Sequence, residues 1–406
     1  MQLPKEWGLS DAGPVISPDG NTVAFVRSQL SGAADLYTVP LAGGEPTALT
    51  TDGKTTDEIF TPMWTADGKF ICFNSTRSGP ERTWRIRSHG GPIEPETVYP
   101  GTGAPSPDGS RLVYQGPSAF SGSSVWRASL SSEGGSVVEK QQLLNDSAYD
   151  YAPRLSPDGS EMVFESMRSG SDQIWKSNSD GSNARRLTSF TGIAGSPRWS
   201  ANGKAIAFDY LPEGQIFRQV YTMDAEGRNQ QLLISGSYNN SIPSWSRDGK
   251  TIYFCSDRSG SFQIWRHDMA SGRETQLTRD GGLASMESLD GRTLYFSKLS
   301  GGGIWSIPVF GGETQHITSA LHFGYWGEFA VTENGLYLID SDTDPGPSLM
   351  YFSFRTRQLK PVFNLNEAPR KAVPWSANLG ASRDGRTVLF VLGTFRSSLV
   401  MAENLQ

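Results

Sequence analysis

Polar turn pairs punctuate the chain at a near-constant interval, and a short apolar run follows each of them. Asp19-Gly20, Asp67-Gly68, Asp108-Gly109, Asp158-Gly159, Asn202-Gly203, Asp248-Gly249, Asp290-Gly291, Asn334-Gly335 and Asp384-Gly385 make nine such pairs, at a mean spacing of about 45 residues, within the range that marks tandem structural repeats. The runs behind them, such as residues 23–26, 71–73, 162–164, 206–208, 252–254, 294–296 and 388–390, are rich in Val, Ile, Leu and Phe. Asp-Gly and Asn-Gly tolerate positive φ, so each pair predicts a tight hairpin turn between two strands. A second landmark, Tyr37, Trp84, Trp126, Trp175, Tyr221, Trp265, Trp305 or Tyr351, falls 15–19 residues after the Asp or Asn, beside β-forming neighbours such as Ile174, Val220 and Ile264. It predicts a third strand. A Gly-containing turn and a Leu-Thr type ending then close several units, as at Leu49-Thr50, Leu187-Thr188, Leu277-Thr278 and Ile317-Thr318.

Four short antiparallel strands per unit predict an all-β chain. A lone four-stranded sheet buries little, and a well-buried Ile, Phe or Trp contributes about 1.5–3 kcal/mol, so the sheets must pack face to face around an axis. The expected fold is therefore a β-propeller of eight or nine four-stranded blades in one domain, 1–406. Its units lie near 13–52, 53–100, 101–147, 148–190, 191–236, 237–280, 281–319, 320–365 and 366–406. The last unit runs out of residues before a fourth strand, while residues 1–12 resemble the fourth-strand endings. The sequence thus predicts a ring closed by the N-terminal strand, which would remove two exposed edges. A start inside a longer array accounts for the same pattern.

Composition agrees with many turns and few helices, with 45 Gly, 24 Pro and 11% aromatic residues. Lys and Arg total 36 against 42 Asp and Glu, a net charge of −6, which lacks the positive field that phosphate-backbone binding uses. No nucleic-acid partner is expected. No apolar run approaches the roughly 20 residues that span a bilayer, so no membrane partner is expected either. Residues 1–7 lack a secretory apolar stretch, which makes the cytoplasm the expected compartment for the chain as written, or the periplasm if the true start lies upstream. A monomer is expected. Cys72 and Cys255 sit in apolar strand-like runs and read as buried thiols.

The pattern Pro-x-x-Ser-x-Asp-Gly-(strand)-Ser-x-Arg-Ser-Gly-x-x-x-Ile-Trp, at residues 153–175 and 243–265, resembles the WD-like repeat of TolB-like propellers. Arg186-Leu187-Thr188-Ser189-Phe190, Ser196-Pro197-Arg198-Trp199-Ser200 and the ending 398–404 resemble the propeller half of acidobacterial winged-helix regulators. The repeats are also similar to the propeller of prolyl oligopeptidases, whose chemistry belongs to a separate hydrolase domain. No Gly-x-Ser-x-Gly elbow occurs; Gly380-Ala381-Ser382-Arg383-Asp384 lacks the final glycine.

No catalytic, metal-binding or cofactor-binding set emerges. The histidines, His89, His267, His316 and His322, have no metal-ligand company at characteristic spacing. Asp340-Ser341-Asp342-Thr343-Asp344 alternates carboxylates as a calcium loop does, but Pro345 stands at the turn glycine and Tyr351 at the bidentate glutamate. The glycine pairs open no helix and read as turns. Arg168 and Arg258 recur in register and read as structural arginines, and Trp175, Trp265 and Trp305 as blade packing. Outside the template stand Tyr149, Asp150, Tyr151, Arg154, Arg198, Tyr325, Trp326 and Glu328, at or before innermost strands, where a propeller turns its loops toward the channel. Aromatic and arginine residues dominate interface hot spots. The expected function is a non-catalytic scaffold that binds a protein or peptide at the channel mouth. The alternatives are a metal-dependent hydrolase or lyase in the channel, or an accessory sensory module of a regulator or peptidase.

Overall fold

The computed structural model describes residues 9–29, 34–51, 59, 62–75, 82–96, 103–106, 108, 110–115, 119–144, 149–298, 302–321, 327–340, 343–344, 346–365, 370–372, 378–396 and 399–403. Among them the regular structure is entirely β, in nine antiparallel sheets.

The turns explain the repeat. Ser156 Oγ donates to Asp158 Oδ1 at 2.5 Å and accepts the Glu161 amide at 3.0 Å, while Asp158 Oδ1 accepts the Ser160 amide at 3.1 Å. Gly159 stands at φ +75°, which an L side chain rarely adopts. Ser246, Asp248 and Lys250 repeat the arrangement, and Gly249 has φ +71°. The Leu-Thr endings are equally local. Thr188 Oγ1 accepts the Ile174 amide at 2.9 Å and donates to Gln173 Oε1 at 2.8 Å; Thr278 repeats this with Ile264 and Gln263, at 2.9 Å for both bonds. In these two blades the fourth strand is thereby tied to the third.

The chain divides into two compact units. The first, residues 1–119 with 396–406, contains the sheets Leu9–Ile16, Thr22–Gln29, Ala34–Pro40, Thr47–Ala48 and Met63–Trp64, Phe70–Ser75, Arg82–Arg87, Glu94–Pro95. A third sheet there joins Gly103–Pro105 and Arg111–Gln115 to Leu399–Glu403.

The second unit, residues 120–395, holds six sheets. Five are consecutive units of the repeat, with innermost strands Asp150–Leu155, Ile193–Trp199, Asn240–Trp245, Leu283–Glu287 and Phe329–Val331. The sixth is composite: Gly380–Ala381 pairs with Thr387–Arg396, which pairs with Ala119–Leu130, which pairs with Val137–Gln142. Each innermost strand touches the next, and Gly380–Ala381 touches both Phe329–Val331 and Asp150–Leu155, so the six form a closed cycle. Buried Phe164, Phe208, Phe254, Phe296 and Phe390 lie in the second strands and fill the spaces between sheets.

Closure differs from the sequence expectation. Leu9–Ala12 pair with Val26–Gln29 and open the first sheet, so these residues do not complete the last one; residues 1–8 lie outside the described residues. The partner of the last long strand is Ala119–Leu130. Any apolar strand with a free edge satisfies an incomplete blade, so a terminal deficit alone does not select its partner.

Candidate functional site

Four of the six innermost strands of the second unit share an irregularity. Their pairing shifts between Tyr151 and Arg154, Gly195 and Arg198, Ser241 and Ser244, and Leu283 and Ser285. At each β-bulge a non-glycine residue takes positive φ: Ala152 at 48°, Ser196 at 54°, Ile242 at 51° and Ala284 at 35°. Such a conformation costs on the order of 1–3 kcal/mol and persists only where its surroundings hold it.

The holding groups come from the neighbouring sheet. Glu165 Oε2 accepts the Ser196 amide at 3.2 Å, Asp209 Oδ2 accepts the Ile242 amide at 2.9 Å, and Asn378 Oδ1 accepts the Ala152 amide at 3.1 Å. Gly195 makes room for this; a Cβ there would meet Glu165 Oε2 at 2.6 Å. Arg218 donates to Asp209 Oδ1 at 2.6 Å. Burial, and then the nearby Asp172 carboxylate, push the Glu165 carboxyl up to about 8; burial pushes Asp172 up to about 6. Burial works against the Arg218 charge, but Asp209, Glu165 and Asp172 together raise its pKa.

Beyond the bulges lies an axial cavity of about 400 Å³, to which all six sheets contribute through residues such as Arg154, Arg198, Arg247, Leu289, Val331 and Ser382. Four arginines, Arg154, Arg198, Arg247 and Arg383, line it together with two carboxylates, Asp158 and Asp384. Arg154 donates from Nη1 to the carbonyls of Pro153 and Leu379, both at 2.7 Å, and Arg198 from Nη1 to the Pro197 carbonyl at 3.1 Å. Both are buried, and Nε and Nη2 of each have no hydrogen-bond partner among the described residues. Neither makes an ion pair among the described residues. Burial, then the neighbouring Arg198 charge, depress the Arg154 pKa far below the usual guanidinium range, and burial brings Arg198 down to about 10.

Arg247 reaches the Glu287 and Ser288 carbonyls at 3.0 and 3.3 Å; burial and the adjacent Arg383 charge lower its pKa. Glu328 is fully buried, with the backbone and side-chain amides of Asn378 directed at its carboxyl group. Burial raises its pKa strongly, against the opposing influence of Asn378 and Arg154.

Three of the expected residues, Arg154, Arg198 and Glu328, are thus brought together. Asp150 lies at the other end of its strand and serves the blade: Arg168 Nη2 donates to both its carboxyl oxygens at 2.8 Å. Tyr149 stacks on Tyr151 with centroids 6.4 Å apart, and Tyr151 packs against the cluster of Val125, Leu144 and Phe164. Tyr325 and Trp326 lie outside the described residues.

Arg247, Arg383, Glu165, Asp172, Asp209 and Arg218 escaped the sequence reading. A signal existed for the first two: Ser-Pro-Asp-Gly at 17–20 and 156–159 becomes Ser-Arg-Asp-Gly at 246–249 and 382–385.

Other candidates resolve into packing. Arg168 lies over the Phe164 and Trp175 rings, and Arg258 bonds Asn240 and Glu274 while lying over Trp265. Cys72 and Cys255 are buried free thiols, raised by burial to about 12. Among the described residues no group of three or more His, Cys, Asp or Glu could hold a metal ion, and no helix is long and apolar enough to cross a membrane.

A family model described as TolB beta propeller domain matches residues 102–208 and 186–378. An uncharacterised protein of Agrobacterium fabrum is 29% identical over 161 residues, 36% of this chain and 52% of that protein, so the chain spans about half the length of this curated relative. A solved structure assigned as TolB from Agrobacterium tumefaciens aligns with a TM-score of 0.55 at 18% identity, covering 68% of this chain and 98% of that one, and shares the fold. A puromycin-hydrolyzing peptidase of Mycobacterium tuberculosis aligns at a TM-score of 0.42 and 12% identity, over 90% of this chain and 56% of that one.

Proposed function

From the premise that the chain belongs to the TolB beta propeller domain family, we propose that residues 120–395 act as a non-catalytic binding scaffold. The arginine-lined axial cavity takes an acidic segment of a protein or peptide partner. One observation carries this reading: Arg154, Arg198, Arg247 and Arg383 converge on a single concavity in a chain whose net charge is −6. A local positive field against an acidic background steers acidic ligands to that mouth. Arg247 and Arg383 stand near enough for the charge of one to lower the pKa of the other, and an incoming carboxylate relieves that repulsion.

Fluorescence anisotropy with labelled acidic, neutral and basic peptide pools tests the reading. The acidic pool is expected to bind, more weakly as ionic strength rises. Replacing Arg247 and Arg383 together by Met should weaken it about tenfold or more, the scale of one charge-assisted hydrogen bond. Equal binding of all pools, or binding of none, refutes the proposal.

A further inference from the structure

Arg154 and Arg198 occupy equivalent places in neighbouring innermost strands, opposite Val163 and Ala207 of their second strands; Ser244 and Met286 fill that place in the next two sheets. In both arginines Nη1, the nitrogen on the Cδ side of the guanidinium, is spent on backbone carbonyls, beginning with that of the preceding proline. The opposite edge, Nε with Nη2, is left without a partner among the described residues in both, although the residues are only 8% and 6% exposed. That edge presents two parallel N–H groups at the spacing of two oxygens of a carboxylate or phosphate. Buried donors without partners are rare in folded proteins, and two coincident cases at homologous positions in one cavity call for an occupant. Glu328, the acid whose charge acts on Arg154, makes no ion pair with it among the described residues. A water molecule would satisfy the donors but would bring no counter-charge between the two guanidinium groups, whose acidic neighbours Glu328 and Asp209 act on them without making an ion pair among the described residues.

We infer that Arg154 and Arg198 together seat one oxyanion, a carboxylate or a phosphate, on the Nε–Nη2 edges of their guanidinium groups. The inference rests on reading the axial cavity as the binding end and names the chemical group that the occupant presents there. The proline carbonyls orient the two forks, and the bulges stapled by Asn378 and Glu165 fix the strand positions from which they project. Arg383, which is exposed, and Arg247, whose Nε and Nη2 already donate to the Ser288 and Glu287 carbonyls, draw the anion inward and contribute less to holding it.

The test uses the full chain, with inorganic phosphate in one arm and acetate or succinate in the other, read by thermal shift and isothermal titration calorimetry. At saturation at least one anion should raise the melting temperature of the wild type by about 2 °C or more, with one anion bound per chain. Arg154→Met and Arg198→Met should each weaken binding about tenfold or more, and Arg228→Met on the exposed surface should leave it unchanged. Arg154→Lys, which keeps the charge and removes the fork, covers a methionine variant that fails to fold; it should lose most of the affinity. Glu328→Gln should bind the anion as well as or better than the wild type, because a competing acid is removed. Binding of phosphate alone, of carboxylate alone or of both satisfies the wild-type arm, and the preference identifies the source. No anion effect on the wild type, or an effect equal in Arg154→Met, Arg198→Met and Arg228→Met, overturns the inference. Competition separates it from the broader reading: anions that bind but do not displace the acidic peptide leave the seat standing and remove the peptide, whereas peptide binding indifferent to Arg154 and Arg198 does the reverse.

Discussion

Replacing Arg168 by Met should destabilise residues 120–395 by about 3–4 kcal/mol at neutral pH, and the cost should shrink as the solution is acidified. Asp150 is fully buried, and the side chain of its partner Arg168 is 23% exposed. The two hydrogen bonds at 2.8 Å are charge-assisted, and removing the cation leaves a carboxylate in the interior; breaking a buried pair in this way costs about 3–5 kcal/mol. Contacts over Phe164 and Trp175, at 5.2 and 5.1 Å from the ring centroids, are lost as well. Protonation of Asp150 sets a ceiling on the electrostatic part. Holding a carboxyl of ordinary pKa 3.8 in its neutral form at pH 7 costs about 4 kcal/mol, at 1.36 kcal/mol per unit. Burial already raises the Asp150 pKa against the opposing pull of Ser166 and Arg168, and the variant raises it further. A folded-state pKa above the unfolded one contributes stability that is present at low pH and lost as pH rises, so the variant recovers relative to the wild type on acidification. Near pH 5 the deficit should fall to about 1–2 kcal/mol. Asp150→Asn is the informative contrast: Asn240 Oδ1 accepts from Arg258 Nη2 at 2.6 Å in the blade of residues 237–280, but there Glu274 supplies the counter-charge that Arg168 would lose. It should cost about 1.5–3 kcal/mol. Equilibrium urea unfolding at pH 5, 6 and 7, followed by tryptophan fluorescence and circular dichroism, measures all three proteins. A penalty for Arg168→Met under 1 kcal/mol, or one that does not change with pH, refutes the reasoning.

The Glu165–Asp172 pair makes wild-type stability fall as pH rises from about 4.5 toward about 8, since the Glu165 carboxyl is raised to about 8 in the folded chain; urea midpoints across that range should decline, and Glu165→Gln should flatten the decline. Gly195→Ala should cost about 1–3 kcal/mol by pushing Glu165 off the Ser196 amide; a double-mutant cycle with Glu165→Ala should be strongly non-additive, and additive values would show that the steric account is wrong. Thr188→Val keeps the shape and removes the bonds to Ile174 and Gln173; about 1–3 kcal/mol should be lost, with faster amide exchange at Ile174 as the local readout.

Among the candidate site residues, legibility followed the range of the interactions. Arg154 and Arg198 stood out as arginines outside the repeat template, at or before innermost strands. Asp150 shared the strand of Arg154 and proved to be a blade residue, since alternation along a strand does not say which end meets the axis. Glu165 and Asp209 were unremarked members of second strands. Their role as acceptors for Ser196 and Ile242 depends on contact with the next sheet.

The amino-acid sequence by itself determined the hairpins, the four-stranded units and the all-β class, because Ser-x-Asp-Gly turns and Leu-Thr endings are satisfied within one unit by groups a few residues apart or on adjacent strands. The tertiary structure alone decided that Thr387–Arg396 pairs with Ala119–Leu130, that a carboxylate of one sheet holds the strained bulge of the next, and that four arginines share one cavity. Those outcomes depend on which free strand edge and which buried charge meet across the ring. Repeat periodicity is the same for every unit and carries no record of that choice.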